Sequence, residues 1–342
     1  MKILCTNWEA ADEGLLERRH FPDVELIIHK TPADPTGVLP LDLCRSVDAV
    51  VNYSPTKNLG TPAAAFERCR IAVRSGVGFD NLDTEGFGRL GVPVCNVPDY
   101  GTTEVADHAL ALMLALLRGT ASYDEALRSR EGGWDFGVAP LIRRLRGATF
   151  GVVGLGRIGL AAARRAAAFD MRIVFFDPYL SNGVELSTGY DRVHSLAELM
   201  AQSDVVSIHA PLNGETRGMV GAEAFASAKE GLVLINTARG PIVDLDALGE
   251  ALGSGRIAGA GLDVLPKEPA DAGHPLVAAW REREPWLDGR LVLTPHAAFY
   301  SPASMEDLRR KSVEVVVAYL RDGRLTNCVN REFLPPKLRA AA

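Results

Sequence analysis

The chain has 342 residues, enough for two domains of ordinary size and a large core that needs no disulfide or metal staple. With 47% hydrophobic residues, 23% charged residues and a formal net charge of -6, extensive disorder and a basic nucleic-acid-binding face are both excluded. The five cysteines are dispersed, odd in number and free of any C-x-x-C pair, so they read as reduced, mostly buried thiols with no metal to bind.

Short apolar strands alternate with helical stretches almost throughout, the pattern of parallel sheets covered by helices. Strands are expected at Lys2–Cys5, Val24–Ile28, Ala49–Val51, Ile71–Val73 and Val92–Val94, with helices at Pro62–Arg68 and Thr84–Leu90. A buried helix is expected from Thr103 to Leu117, capped by Thr102 or Thr103 and apolar nearly all round. Its Ala109–Leu117 run is about half the length of a membrane span. With no secretory signal at the N-terminus, the expectation is a cytoplasmic protein with no membrane partner. Residues 118–147 look irregular and are expected to be an interface arm or a surface excursion.

A second series begins at Ala148. Its six expected strands are Thr149–Val153, Arg172–Phe176, Val205–His209, Leu232–Asn236, Gly259–Asp263 and Leu291–Thr294. A last helix, Ala303–Leu320, opens on Ser301 as cap and Pro302. The fold class is therefore α/β, with two Rossmann-like domains, each a doubly wound parallel sheet.

The stretch Gly154-Leu155-Gly156-Arg157-Ile158-Gly159 is G-x-G-x-x-G placed after a strand and before an Ala-rich helix. Gly154 permits the turn, Gly156 the approach of a pyrophosphate, and Gly159 the packing of helix on strand. Asp177 ends the next strand, roughly 20 residues on, where an acid accepts from ribose hydroxyls and repels a 2'-phosphate. NAD is the expected cofactor, in preference to NADP.

Three later strand ends carry candidate chemistry: Asn236–Gly240, Leu262–Pro269 and Thr294–Ala298. Arg239 can hold a carboxylate bidentately and polarise a ketone. His296 can exchange a proton near neutrality. Glu268 beside it would favour the imidazolium and orient the ring, and Asp263 is expected near the nicotinamide carboxamide.

Taken together these residues resemble the D-isomer-specific 2-hydroxyacid dehydrogenase family. The resemblance also rests on Gly76-Val77-Gly78-Phe79-Asp80-Asn81 and Val105-Ala106-Asp107-His108. It implies Arg239, Glu268 and His296 as catalytic residues, and Val77 and Gly78 as holders of the substrate carboxylate. It further implies NAD contacts from Arg157, Ile158, Pro211, Thr216, Thr237, Ala238 and His296. A discontinuous substrate domain, residues 1–101 and 300–342, is implied around an NAD domain, residues 102–299, with a homodimer formed largely through the latter. A small 2-oxo or 2-hydroxy acid of D configuration is the implied substrate.

Within the family the chain is most similar to the C-terminal-binding proteins, NAD(H)-sensing corepressors. That likeness lies in Val94-Cys95-Asn96-Val97-Pro98, Asp177-Pro178-Tyr179-Leu180, Pro295–Ser301 and Asn327-Cys328-Val329-Asn330. It implies a substrate contact from Arg74. Phe299 stands where the corepressors carry Trp, which alters the substrate pocket. The alternative function is accordingly an NAD(H)-responsive regulator. The intact Arg239, Glu268 and His296 set favours the enzyme.

Overall fold

A computed structural model describes residues 1–8, 10–30, 38–53, 60–129 and 133–339. Of the Gly132-Gly133-Trp134 stretch within the irregular segment, Gly132 lies outside the described residues. The chain divides into two compact units, Met1–Gly101 with Tyr300–Ala342, and Thr102–Phe299.

The first unit holds a five-stranded parallel sheet of β1 (Lys2–Thr6), β2 (Glu25–His29), β3 (Ala49–Asn52), β4 (Ile71–Arg74) and β5 (Val94–Asn96), in the order β2-β1-β3-β4-β5. Ile3, Val51, Ile71 and Val73 pack one face against Leu308, Val313 and Val316 of the C-terminal helix Pro302–Asp322. That helix starts at the Ser301 cap, whose hydroxyl accepts from Ser304 N, with proline in the first turn. The last strand starts two residues later than the alternation suggests, because Pro93 has no N–H to give a ladder. The expected helix at Pro62–Arg68 is only a 3-10 turn, Ala63–Ala65. So short a stretch cannot offset the cost of nucleation, and Phe66 turns out of it into the core.

The second unit holds a seven-stranded sheet: β6 (Thr149–Val153), β7 (Arg172–Phe176), β8 (Asp191–Arg192), β9 (Val205–Ile208), β10 (Leu232–Asn236), β11 (Ile257–Leu262) and β12 (Leu291–Leu293). All pairs are parallel and the order is β12-β11-β10-β9-β6-β7-β8. Six strands were expected; the seventh, β8, is a two-residue edge strand too short to leave a period-two signature. The chain reverses its winding between β6 and β9, and ligands of open α/β sheets bind at such a switch point, beyond the carboxyl ends of the strands.

The helix Thr102–Leu117 buries Ala106, Ala109, Leu110, Met113 and Leu117 against this sheet and against the helix Arg157–Ala167. It starts one residue before the expected Thr103, and the Thr103 hydroxyl bonds the Glu104 carboxylate at 2.7 Å. The segment expected to be irregular contains a further helix, Thr120–Ser129. Only Ala126 on it is buried, so its apolar period is too weak to read from sequence.

Candidate active site

The cofactor cradle begins where β6 ends. Gly154 has φ +85, and a Cβ there would lie 3.0 Å from Ala210 N. A Cβ on Gly159 would lie 2.0 Å from the Gly154 carbonyl oxygen, so helix and strand close-pack only with glycine. Gly156 is the opposite case: its Cβ would meet nothing within 4 Å. A side chain there would point into open space. The helix Arg157–Ala167 starts at Gly156 with no side-chain cap, leaving its first-turn N–H groups without a side-chain acceptor. Arg157 is exposed and Ile158 half-buried in this first turn.

Asp177 follows β7. One carboxylate oxygen accepts from Leu155 N and the other from Tyr179 N, both at 3.0 Å. The acid is thereby tied to the glycine loop. Arg192 of β8 lies over the Phe175 ring and donates to the carbonyls of Asp177, Leu180 and Ser181. Its guanidinium is thus engaged in shaping the loop that carries Asp177. The turn after β9 is closed by Thr216, whose hydroxyl donates to Pro211 O at 2.6 Å and accepts from Asn213 N. The Tyr179 hydroxyl donates to the Glu215 carboxylate, so the loops after β7 and β9 meet. His209, at the end of β9, is pushed by burial down to about 4 and is a neutral ring behind the glycine loop.

At the end of β10, Ala238 N donates to the Asn236 side chain, which returns a bond to Arg239 O. The Thr237 hydroxyl is buried and has no hydrogen-bond partner among the described residues. A buried hydroxyl left without a partner is costly unless something else engages it. Arg239 is half-buried, and the next residue, Gly240, lies so close to the Leu265–Pro266 backbone that a Cβ would come within 1.9 Å of Leu265 C. Tertiary packing thus sets the Arg239 loop against the loop bearing Glu268.

Glu268 is held at one oxygen by Leu265 N, at 3.0 Å, and meets His296 Nδ1 with the other at 2.7 Å. His296 has φ +53, a left-handed conformation that is uncommon for a histidine. Asp263 over-determines it. The Asp263 carbonyl accepts from His296 N at 2.8 Å, and its carboxylate accepts from Ala297 N and Ala298 N, both at 2.9 Å, and from the Thr294 hydroxyl at 2.5 Å. Asp263, expected near the nicotinamide carboxamide, is almost fully buried (1% exposed) and its carboxylate builds the histidine loop. His108 on the helix Thr102–Leu117 supports the same loop, its Nε2 lying 3.0 Å from the Thr294 hydroxyl. The sequence offered His108 only as part of a motif, and its contact with Thr294 depends on how that helix packs on the sheet. The Phe299 ring stands edge-on to His296, centroids 6.0 Å apart.

In the first unit, Arg74 ends β4 almost completely buried (3% exposed). Gly76 lies directly over it: a Cβ there would be 2.4 Å from Arg74 Nη1. Val77 and Gly78 follow, half-buried, with the Val77 carbonyl held by Asn96 Nδ2 at 2.6 Å and the Gly76 carbonyl by Val97 N at 3.0 Å. Asn96 carried no chemical signal of its own in the sequence. No group of His, Cys, Asp and Glu among the described residues could hold a metal, and no described helix is long and apolar enough to cross a membrane.

The residues present fit a dinucleotide: open space at Gly156, uncapped helix N–H groups, an acid fixed beside them and an unpartnered buried hydroxyl at Thr237. Comparison with known proteins agrees. Residues 110–298 match the family described as D-isomer specific 2-hydroxyacid dehydrogenase, NAD binding domain. The chain is 35% identical over 330 residues to a glyoxylate reductase of Korarchaeum cryptofilum, covering 95% of each protein. It is 35% identical to a D-3-phosphoglycerate dehydrogenase of Archaeoglobus fulgidus, with 88% of this chain and 55% of that protein covered. Among solved structures it is similar to an NADPH-dependent glyoxylate/hydroxypyruvate reductase of Sinorhizobium meliloti in complex with NADP and malonate, with TM-score 0.81, 30% identity and 96% of each chain covered.

Proposed function

Because the chain belongs to the D-isomer-specific 2-hydroxyacid dehydrogenase family, with an NAD-binding domain of that family, we propose that it interconverts a small 2-oxo acid and its D-2-hydroxy acid. The observation that carries this reading is the 2.7 Å contact of His296 Nδ1 with Glu268, at the strand ends of the unit that holds the dinucleotide cradle.

NAD, when bound, supplies or accepts the hydride at C2. The N–H groups at Gly156, Arg157 and Ile158 would hold its pyrophosphate, with Gly159 keeping the helix packed close behind them. Asp177 has lone pairs left for ribose hydroxyls after its two backbone bonds, and its charge disfavours a 2'-phosphate. Gly154, Pro211, Thr216, Thr237, Ala238 and Asp263 complete the cofactor set.

Glu268 accepts the Nδ1 proton of His296, which fixes the ring and leaves Nε2 for the reacting oxygen. In reduction His296 gives a proton to that oxygen, and in oxidation it takes one away. Arg239 grips carboxylate and carbonyl with its planar fork and stabilises charge developing on the oxygen. Arg74 and the backbone of Val77 and Gly78 hold the substrate carboxylate, and Phe299 trims the space beside the imidazole. The protein acts as a homodimer.

The likeness to the corepressor subgroup rests on short residue matches, whereas the relatives reported above are named for reductase and dehydrogenase activities. Glyoxylate-sized acids are the first substrates to try. The test is NADH consumption with a panel of 2-oxo acids, alongside NADH binding by fluorescence. Turnover lost in His296→Ala with binding retained supports the assignment. Tight NADH binding with no turnover of any acid by the parent protein would favour the NAD(H)-sensing alternative.

A further inference from the structure

Cysteines that are dispersed in the sequence are not all dispersed in the fold. Cys95 in β5 and Cys328 face each other across an antiparallel bridge. Val329 N donates to Val94 O at 2.8 Å on one side of the pair, and Asn96 N donates to Asn327 O at 3.2 Å on the other. Hydrogen bonds on the neighbours and not on the pair itself define the close register of antiparallel strands, where opposite Cα atoms lie about 4.5 Å apart. That spacing falls within the range of about 4.4–6.8 Å that a disulfide requires. Both thiols are free; Cys95 is buried and Cys328 is partly open to solvent. The Cys95 thiol, the Asn330 backbone and Arg331 draw the Cys328 thiol down, while the Cys328 sulfur and burial push Cys95 up; Cys328 Sγ also lies 3.4 Å from Asn330 Oδ1.

We propose that Cys95 and Cys328 form an oxidation site for hydroperoxides, closing to a disulfide that acts on the adjoining Gly76–Gly78 loop. The Cys328 thiolate attacks the peroxide: an S–O bond forms, the O–O bond breaks, and the departing alkoxide or hydroxide takes a proton from water. Cys328 is then a sulfenic acid. The Cys95 sulfur attacks it; an S–S bond forms, the S–O bond breaks, and the hydroxyl leaves as water with the Cys95 proton. Two thiols lose two electrons, and the peroxide gains them.

The next residue transmits the change. Asn96 follows Cys95 directly and holds the Val77 carbonyl at 2.6 Å, and Val97 holds Gly76. The pair's Cα spacing of about 4.5 Å is at the short end of the disulfide range, whose usual value is about 5.5–6 Å, so closure widens the bridge and displaces the end of β5 beneath those bonds. The effect on substrate, as distinct from disulfide formation, rests on the assignment of Val77 and Gly78 to the substrate carboxylate.

The full chain treated with hydrogen peroxide should lose two of its five thiols and yield a Cys95–Cys328 linked peptide under non-reducing mass analysis, reversed by dithiothreitol. The same treatment should raise KM for the 2-oxo acid by about two- to tenfold, the span of one lost neutral hydrogen bond, with NADH affinity unchanged. Cys328→Ser should form no link and keep its KM through peroxide treatment. The proposal is overturned if peroxide spares both thiols, stops at sulfinic acid on Cys328, or joins Cys328 of two chains; an unchanged KM in linked protein overturns the action on the loop. A link formed in a chain that turns over no 2-oxo acid supports the oxidation site and removes the dehydrogenase reading instead.

Discussion

The two units are both parallel α/β sheets, yet they hold their ligand-facing backbone in different ways. In Thr102–Phe299 the loops are fixed by residues of the same loops and neighbouring strand ends: Asp177 on Leu155, Thr216 on Pro211, Asp263 on Ala297 and Ala298. In the other unit the Gly76–Gly78 loop is likewise held by a neighbouring strand end, through Asn96 and Val97, but the scaffold around it depends on the far end of the chain. Asn330 accepts from Val94 N and donates to Thr84 O and Val92 O, Ser312 donates to Ser75, and Arg309 reaches Glu17 and Asp12. The lesson is that a substitution in the NAD-binding unit should remove one chemical role. A substitution in the other unit should disturb substrate affinity or stability through distant contacts.

The largest effect is expected in the second unit, at His296. His296→Ala should lower kcat by about 10²–10⁴ with NADH affinity nearly kept, because the role proposed for the imidazole is to move a proton while most cofactor contacts come from other residues. Stopped-flow turnover and fluorescence titration together check this; a parallel loss of binding would mean that the histidine loop has collapsed. In the first unit, Glu17→Ala should instead cost about 3 kcal/mol of stability. It removes a fully buried carboxylate that Arg309 contacts at 2.8 Å through Nε and 2.6 Å through Nη2. Urea unfolding reads it, and kcat per folded molecule should stay level.

Smaller effects sharpen the same contrast. Asp177→Ala should weaken NADH binding by about ten- to a hundredfold and relax rejection of NADPH, since bonds to a charged acceptor are lost. An unchanged NADH-to-NADPH ratio would show that the acid does not face the ribose. Asn96→Ala, releasing the Val77 carbonyl, should raise KM for the 2-oxo acid about two- to tenfold with kcat nearly constant. If kcat falls and KM holds, the loop acts on chemistry and not on substrate binding.

Several features were legible from residues alone. The glycine loop is readable because a turn at φ +85 and a helix packed against a carbonyl admit only glycine, and those needs fall within six residues. Buried parallel strands are readable because they are short, nearly continuous apolar runs. The helix Thr120–Ser129, polar on most of its surface, and the two-residue β8 are not, since neither carries a usable period.

The alternating α/β series, the dinucleotide cradle and the residue types able to move a proton and hold a carboxylate could be read from the order of residues. Each of these is a demand that backbone geometry or chemistry makes within a few neighbouring positions. Folding was needed to bring Glu268 within 2.7 Å of His296, to set Asp263 and His108 as braces of the same loop, and to place Cys95 opposite Cys328. Those contacts follow from strand order, register and helix packing, which are set by how whole elements bury their apolar faces, and no local pattern of letters encodes them.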